Sequence, residues 1–71
     1  MRSADFVRAV KRVGRVRGVA VTLDTKRGKG SHALLKFGTR QTIVKDRRKT
    51  IGRGLLRKMC HDLAITPGDL E

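Results

Sequence analysis

The chain has no tryptophan, no tyrosine, two phenylalanines, one proline and one cysteine. A single thiol, Cys60, cannot close an internal disulfide, and it suits a reducing compartment where it packs as a small apolar side chain. The two histidines and Cys60 show no HxxxH or CxxC spacing, which removes the usual zinc arrangements. Acidic residues are scarce and scattered: Asp5, Asp24, Asp46, Asp62, Asp69 and Glu71 form no DxD or ExxE pair for magnesium. No apolar run approaches the ~20 residues needed to cross a bilayer. The opening Met1-Arg2-Ser3-Ala4-Asp5 has no apolar secretory stretch. The expectation is a cytoplasmic protein with no metal, no small-molecule cofactor and no membrane contact.

What is abundant is positive charge. Eighteen lysines and arginines against six acids leave +12 on 71 residues. Such a surplus costs stability through self-repulsion and draws polyanions, with binding that weakens steeply as salt rises. Nucleic acid is the first partner this implies, and an acidic protein the second. The length allows one small domain, residues 1–71, near the lower limit for a single unstapled core.

Periodicity divides the chain into five main elements. Phe6, Val10 and Val13 recur at helical spacing with Arg8, Lys11 and Arg12 opposite, which predicts a helix over about Ala4 to Val13. Ser3 is placed to cap it and Gly14 to stop it. From Arg15 to Thr25 the period becomes two, with Val19, Val21 and Leu23 on one face, so a strand is expected there. Gly18 inside that run marks a bulge or a late strand start.

A basic loop over Lys26 to Gly30 leads into a second strand, about Ser31 to Phe37. Ala33, Leu35 and Phe37 share its inner face, while His32, Leu34 and Lys36 share the other. Gly38-Thr39 turns into a third strand, about Gln41 to Lys45, and the polar stretch 46–50 connects to a second helix over about Arg53 to Ala64. Leu55, Leu56, Met59 and Leu63 make the stripe of that helix, with Cys60 at its edge. Thr66-Pro67 reads as the cap and first position of a last short turn. Helix, three antiparallel strands, helix is an α+β order, and two helices on one sheet face leave the other face open.

Several chemistries can be weighed against these residues. Ser31 and His32 are adjacent on a strand and so point to opposite faces, which argues against a nucleophile–base pair. Gly28-Lys29-Gly30-Ser31 lacks the full phosphate-loop pattern and precedes a strand rather than a helix. One histidine among cations suits RNA cleavage, where the 2′-hydroxyl is an internal nucleophile. That reaction needs a proton acceptor, positive charge at the phosphate, and a proton for the departing 5′-oxygen. Arg27, Lys29 and Lys36 supply nearby charge. On residue types alone His32 is equally well a contact in a basic RNA-binding loop. Arg47, Arg48, Lys49 and Arg53 read as flanking phosphate contacts, and His61 as an exposed helix residue.

The stretch Arg27-Gly28-Lys29-Gly30-Ser31-His32 resembles the RQxGSH motif of the HicA toxins of toxin–antitoxin systems. Ile51-Gly52-Arg53-Gly54-Leu55-Leu56-Arg57-Lys58-Met59 resembles that family's glycine-led start of the last long helix. Leu63-Ala64-Ile65-Thr66-Pro67 resembles its Leu-Gly-Ile-Ser ending. The resemblance implies a two-layer double-stranded-RNA-binding-domain-like fold and a metal-independent endoribonuclease, an mRNA interferase, that halts translation. His32 would be catalytic, with Gly30 and Ser31 beside it in the RNA-binding loop. A HicB-like antitoxin would be the protein partner. The family's glutamine falls on Gly28, and the second histidine that many members carry after the third strand is absent, which leaves leaving-group protonation unassigned. A non-catalytic double-stranded-RNA-binding or ribosome-associated module is the alternative expectation.

Overall fold

Helix α1 spans Ser3–Arg17, about one turn longer than the apolar spacing predicts. Gly14 does not stop it. The helix ends at Gly18, whose φ of 69° is left-handed, and Val19 N–H reaches back 2.7 Å to the Gly14 carbonyl, the long backward bond of a Schellman ending. Gly14 instead lies buried where the chain folds back over the helix. A Cβ there would overlap the Val21 Cγ2 methyl and come within 2.7 Å of the Val19 carbonyl oxygen. The start also differs from expectation, because Arg2 takes the N-cap position and Ser3 is the first helical residue. Ser3 is buried, and its Oγ donates to the Lys49 carbonyl at 3.3 Å rather than capping its own helix.

A computed structural model describes residues 1–25, 32–46 and 48–71. After α1 come β1 (Val21–Asp24), β2 (Ala33–Phe37), β3 (Arg40–Val44), α2 (Arg53–Asp62) and a terminal 3₁₀ turn, Pro67–Leu70. The chain therefore has the expected α+β order. β1 is shorter than predicted, since α1 and Gly18 consume its first residues. The sheet order is β1-β2-β3, with both pairs antiparallel. Gly38 takes φ 61° in the two-residue β2–β3 turn, the position where a hairpin of type II′ wants glycine.

The core lies between the helices and one sheet face. Phe6, Val10, Leu35, Val44 and Leu63 are wholly buried, and Val19, Val21 and Leu23 pack partly against them. Cys60 is in this core rather than at its edge, while Leu55 turns out to solvent. On a helical wheel Leu56, Met59, Cys60 and Leu63 form one contiguous stripe and Leu55 sits at its rim. Helix α2 ends before Ala64, which adopts φ 59° with Ile65 N–H bonded to the Cys60 carbonyl at 3.0 Å. This is the position of the glycine in the Leu-Gly-Ile pattern, and alanine holds the left-handed backbone there at a cost on the order of 1 kcal/mol.

Polar ties close the ends. Thr66 caps the 3₁₀ turn as predicted, with Thr66 N–H on Asp69 Oδ2 at 2.8 Å and Asp69 N–H on Thr66 Oγ1 at 3.3 Å. Arg12 donates to the Leu70 carbonyl at 2.6 Å and Arg17 pairs with Asp69 at 3.0 Å, so the turn is fastened to α1. Asp62 joins α2 to β3 by accepting from Lys58 Nζ at 3.2 Å and from the buried Thr42 hydroxyl at 3.0 Å.

Those bonds to Lys58 and Thr42 hold the Asp62 carboxyl below its ordinary 3.8, and the Thr66 N–H does the same for Asp69. A depressed folded-state pKa contributes stability above the unfolded value and loses it as pH falls through the folded one. Below about pH 3.8 the unfolded chain takes up these protons first, so stability declines with acidification. Urea midpoints measured from pH 5 downwards should fall less steeply for Asp62→Asn than for the wild-type chain. Identical slopes would show that the carboxylate is not coupled to folding.

Candidate nucleic-acid interface

The pleat of β2 sorts its residues. Ala33, Leu35 and Phe37 are buried under the helices, whereas Leu34 and Lys36 are half-buried on the opposite face. His32 immediately precedes the strand and is exposed, and parity assigns it to that same outer face. Strand register supplies its neighbours. Lys36 lies between Thr22 and Gln41, and Leu34 between Asp24 and Ile43. The observed register ends at the Ala33–Val44 pair; one further step, past the ends of both strands, would bring His32 opposite Lys45, an exposed cation just after β3.

Lys45 was not among the residues picked out by sequence. The signal was present: a two-residue turn at Gly38-Thr39 pairs residues whose numbers sum to a constant, and that sum joins 32 to 45. Reading it required knowing that no bulge interrupts the hairpin.

The other cations fall into two groups. Arg27, Lys29, Gly30 and Ser31, with Gly28, lie outside the described residues, as does Arg47. Arg48 and Lys49 are exposed in the connection that begins just past Lys45. Asp46 organises this connection by accepting Arg48 N–H at 3.0 Å, and the Arg48 Nε lies 3.5 Å from the same carboxylate oxygen. The backbone bond from Arg48, followed by the charges of Arg48 and Lys49, keeps the Asp46 carboxyl below its ordinary value. The far end is tied to the start of α1, because the Lys49 carbonyl accepts Ser3 N–H at 2.9 Å and Ile51 N–H reaches the Met1 carbonyl at 2.7 Å. The end of the connection carrying Lys49 is thus tied to the start of α1.

Arg53 belongs elsewhere. It stands on the first turn of α2 and, with Arg57, Leu56 and Pro67, lines a shallow depression of 240 Å³ in the helical layer. His61 is exposed on the last turn of α2, and so is not on the sheet face with His32. Among the described residues the outer sheet face is uncovered, with Lys36 half-buried on it and the exposed His32 and Lys45 just beyond the ends of β2 and β3. Among the described residues no group of His, Cys, Asp and Glu could hold a metal ion, and no helix is long and apolar enough to cross a membrane. No family model, curated protein or solved structure matches the chain.

Proposed function

We propose that this protein is a ribonuclease toxin of the HicA kind. It acts in the cytoplasm as a metal-independent endoribonuclease on mRNA, arrests growth, and is held in check by a HicB-like antitoxin. The observation that carries the reading is the RGKGSH stretch running into a strand whose preceding residue, His32, is exposed at the corner of the open sheet face.

Imidazole titrates near neutrality and can accept the 2′-hydroxyl proton. The 2′-oxygen then attacks the adjoining phosphorus, and the bond to the 5′-oxygen breaks as that oxygen gains a proton. A 2′,3′-cyclic phosphate and a free 5′-hydroxyl result. Lys36 on the sheet face and Lys45 just after β3, with Arg27 and Lys29 from the loop, offset charge on the pentacoordinate phosphate. Arg48 and Lys49 hold flanking phosphates, and Arg53 meets a more distant segment.

One observation favours a second reading. The only other imidazole, His61, is on α2, so no second histidine stands ready to protonate the leaving oxygen. A non-catalytic RNA-binding module needs neither. The discriminating measurement is incubation of the purified chain with mRNA in excess chelator. The expected result is fragments ending in 2′,3′-cyclic phosphate. Intact RNA, bound with a steep salt dependence, would select the binding module instead.

A further inference from the structure

We infer that the outer edge of β3 is a docking site for an extended acidic segment of a partner protein, which adds to the sheet as a fourth strand. The inference takes the existence of a protein partner from the reading above, and the place and manner of binding from the structure.

Backbone phase comes first. Gly38 N–H donates to the Ala20 carbonyl at 2.8 Å, so even-numbered residues of the second strand region bond towards β1. The odd-numbered residues of β2 therefore bond towards β3, where their register partners are Arg40, Thr42 and Val44. Gln41 and Ile43 are left with N–H and C=O groups turned outwards. β3 is the last strand of the sheet, and among the described residues nothing bonds to those groups. Sheet edges of this kind are commonly blunted by proline or a bulge. β3 has neither.

A groove of 370 Å³ runs along the edge, lined by apolar Leu34, Ile43, Leu55 and Met59 together with Gln41, Thr42, Lys45 and the Lys58–Asp62 pair, so Lys45 is its one cation without an acidic partner among the described residues. Ile43 is 49% exposed and Leu55 38%, although both are large apolar side chains.

Charge then selects the occupant. A second copy would bring another +12 to the same edge, and repulsion opposes that pairing. An acidic strand is attracted instead, and Lys45 has no ion-pair partner among the described residues. Unpaired backbone groups at every second residue are matched by an extended peptide, whose own amides repeat with that period, and not by a phosphate chain. A strand there runs past Lys45, the exposed cation just after β3.

The test uses the full chain and a capped peptide of alternating valine and glutamate. Amide hydrogen exchange at Gln41 and Ile43 should slow by about tenfold or more on saturation with the peptide. N-methylation of alternate peptide residues should abolish this in one phase and spare it in the other, because only one phase faces β3. Ile43→Glu should weaken binding by about tenfold through lost apolar contact and repulsion of the peptide's glutamates. Ile43→Pro, which removes the outward N–H at an edge position, should weaken it without adding charge.

No slowing at Gln41 and Ile43, equal binding by both methylated phases, or equal binding by a valine–lysine peptide would overturn the inference. So would the same protection produced by an RNA oligonucleotide, or by raising the protein concentration alone. RNA cleavage is measured in the same preparation. Protection without cleavage refutes the nuclease reading only, and cleavage without protection refutes the edge only.

Discussion

Replacing His32 with alanine should reduce RNA cleavage by roughly 10²- to 10⁴-fold, the usual range for losing a proton-transfer group. The same change should leave the free energy of unfolding within about 0.5 kcal/mol of wild type, because the residue is exposed and precedes the strand proper. This pairing of a large rate loss with intact stability is what separates chemistry from scaffolding. Lys36→Gln and Lys45→Gln should each cost less, since every cation on that face shares the charge stabilisation. If His32→Ala retains full cleavage in a preparation free of host nuclease, the imidazole is a contact residue and the catalytic assignment fails. Growth arrest on induced expression should follow the cleavage result, with arrest lost in the variant and relieved in the wild type by the partner.

Gly14→Ala should destabilise the fold by about 1–3 kcal/mol, the cost of overpacking a filled site. Helix propensity alone argues the reverse, since alanine is favoured over glycine inside a helix by ~1 kcal/mol. The difference is the close approach of the chain after Gly18. The new methyl would meet Val21 Cγ2, on a stiff β-branched side chain, and the Val19 carbonyl, whose own N–H is bonded to Gly14. Neither can withdraw cheaply. For a domain of this size each kcal/mol moves the melting temperature by ~4–8 °C. Gly54→Ala supplies the control, because that glycine is in α2 and a Cβ there meets nothing within 4 Å. It should melt higher than wild type. A Gly14→Ala chain that also melts higher would mean that Val19 and Val21 yield without cost.

Gly14 also marks the limit of what can be read from residue order. A glycine after an apolar stripe is a reasonable helix stop, and the stripe does end near Val13. The last turn of α1 is exposed, with Arg15, Val16 and Arg17 all facing water, so no apolar period announces it. Ser3 misled for a related reason. Serine before a helix is a common cap, but its partner here is the Lys49 carbonyl, 46 residues away. Leu55 and Cys60 exchanged roles because composition cannot say which side of a stripe the sheet will cover. At the site, the outward placement of His32 and Lys36 was legible from alternation, whereas Lys45 required the hairpin register. Arg53 was grouped with the site by charge, and the fold places it in the helical layer.

Element order, helix and strand type, the inward faces of α1 and β2, and the excess of positive charge all follow from residue order. They depend on periods of two and 3.6 residues and on composition, which are properties of short stretches. The length of α1, the reason for Gly14, the unpaired edge at Gln41 and Ile43, and the placement of Arg53 in the helical layer do not. Each depends on which distant segment arrives against a given backbone, and that is settled only when the sheet and both helices close on one core.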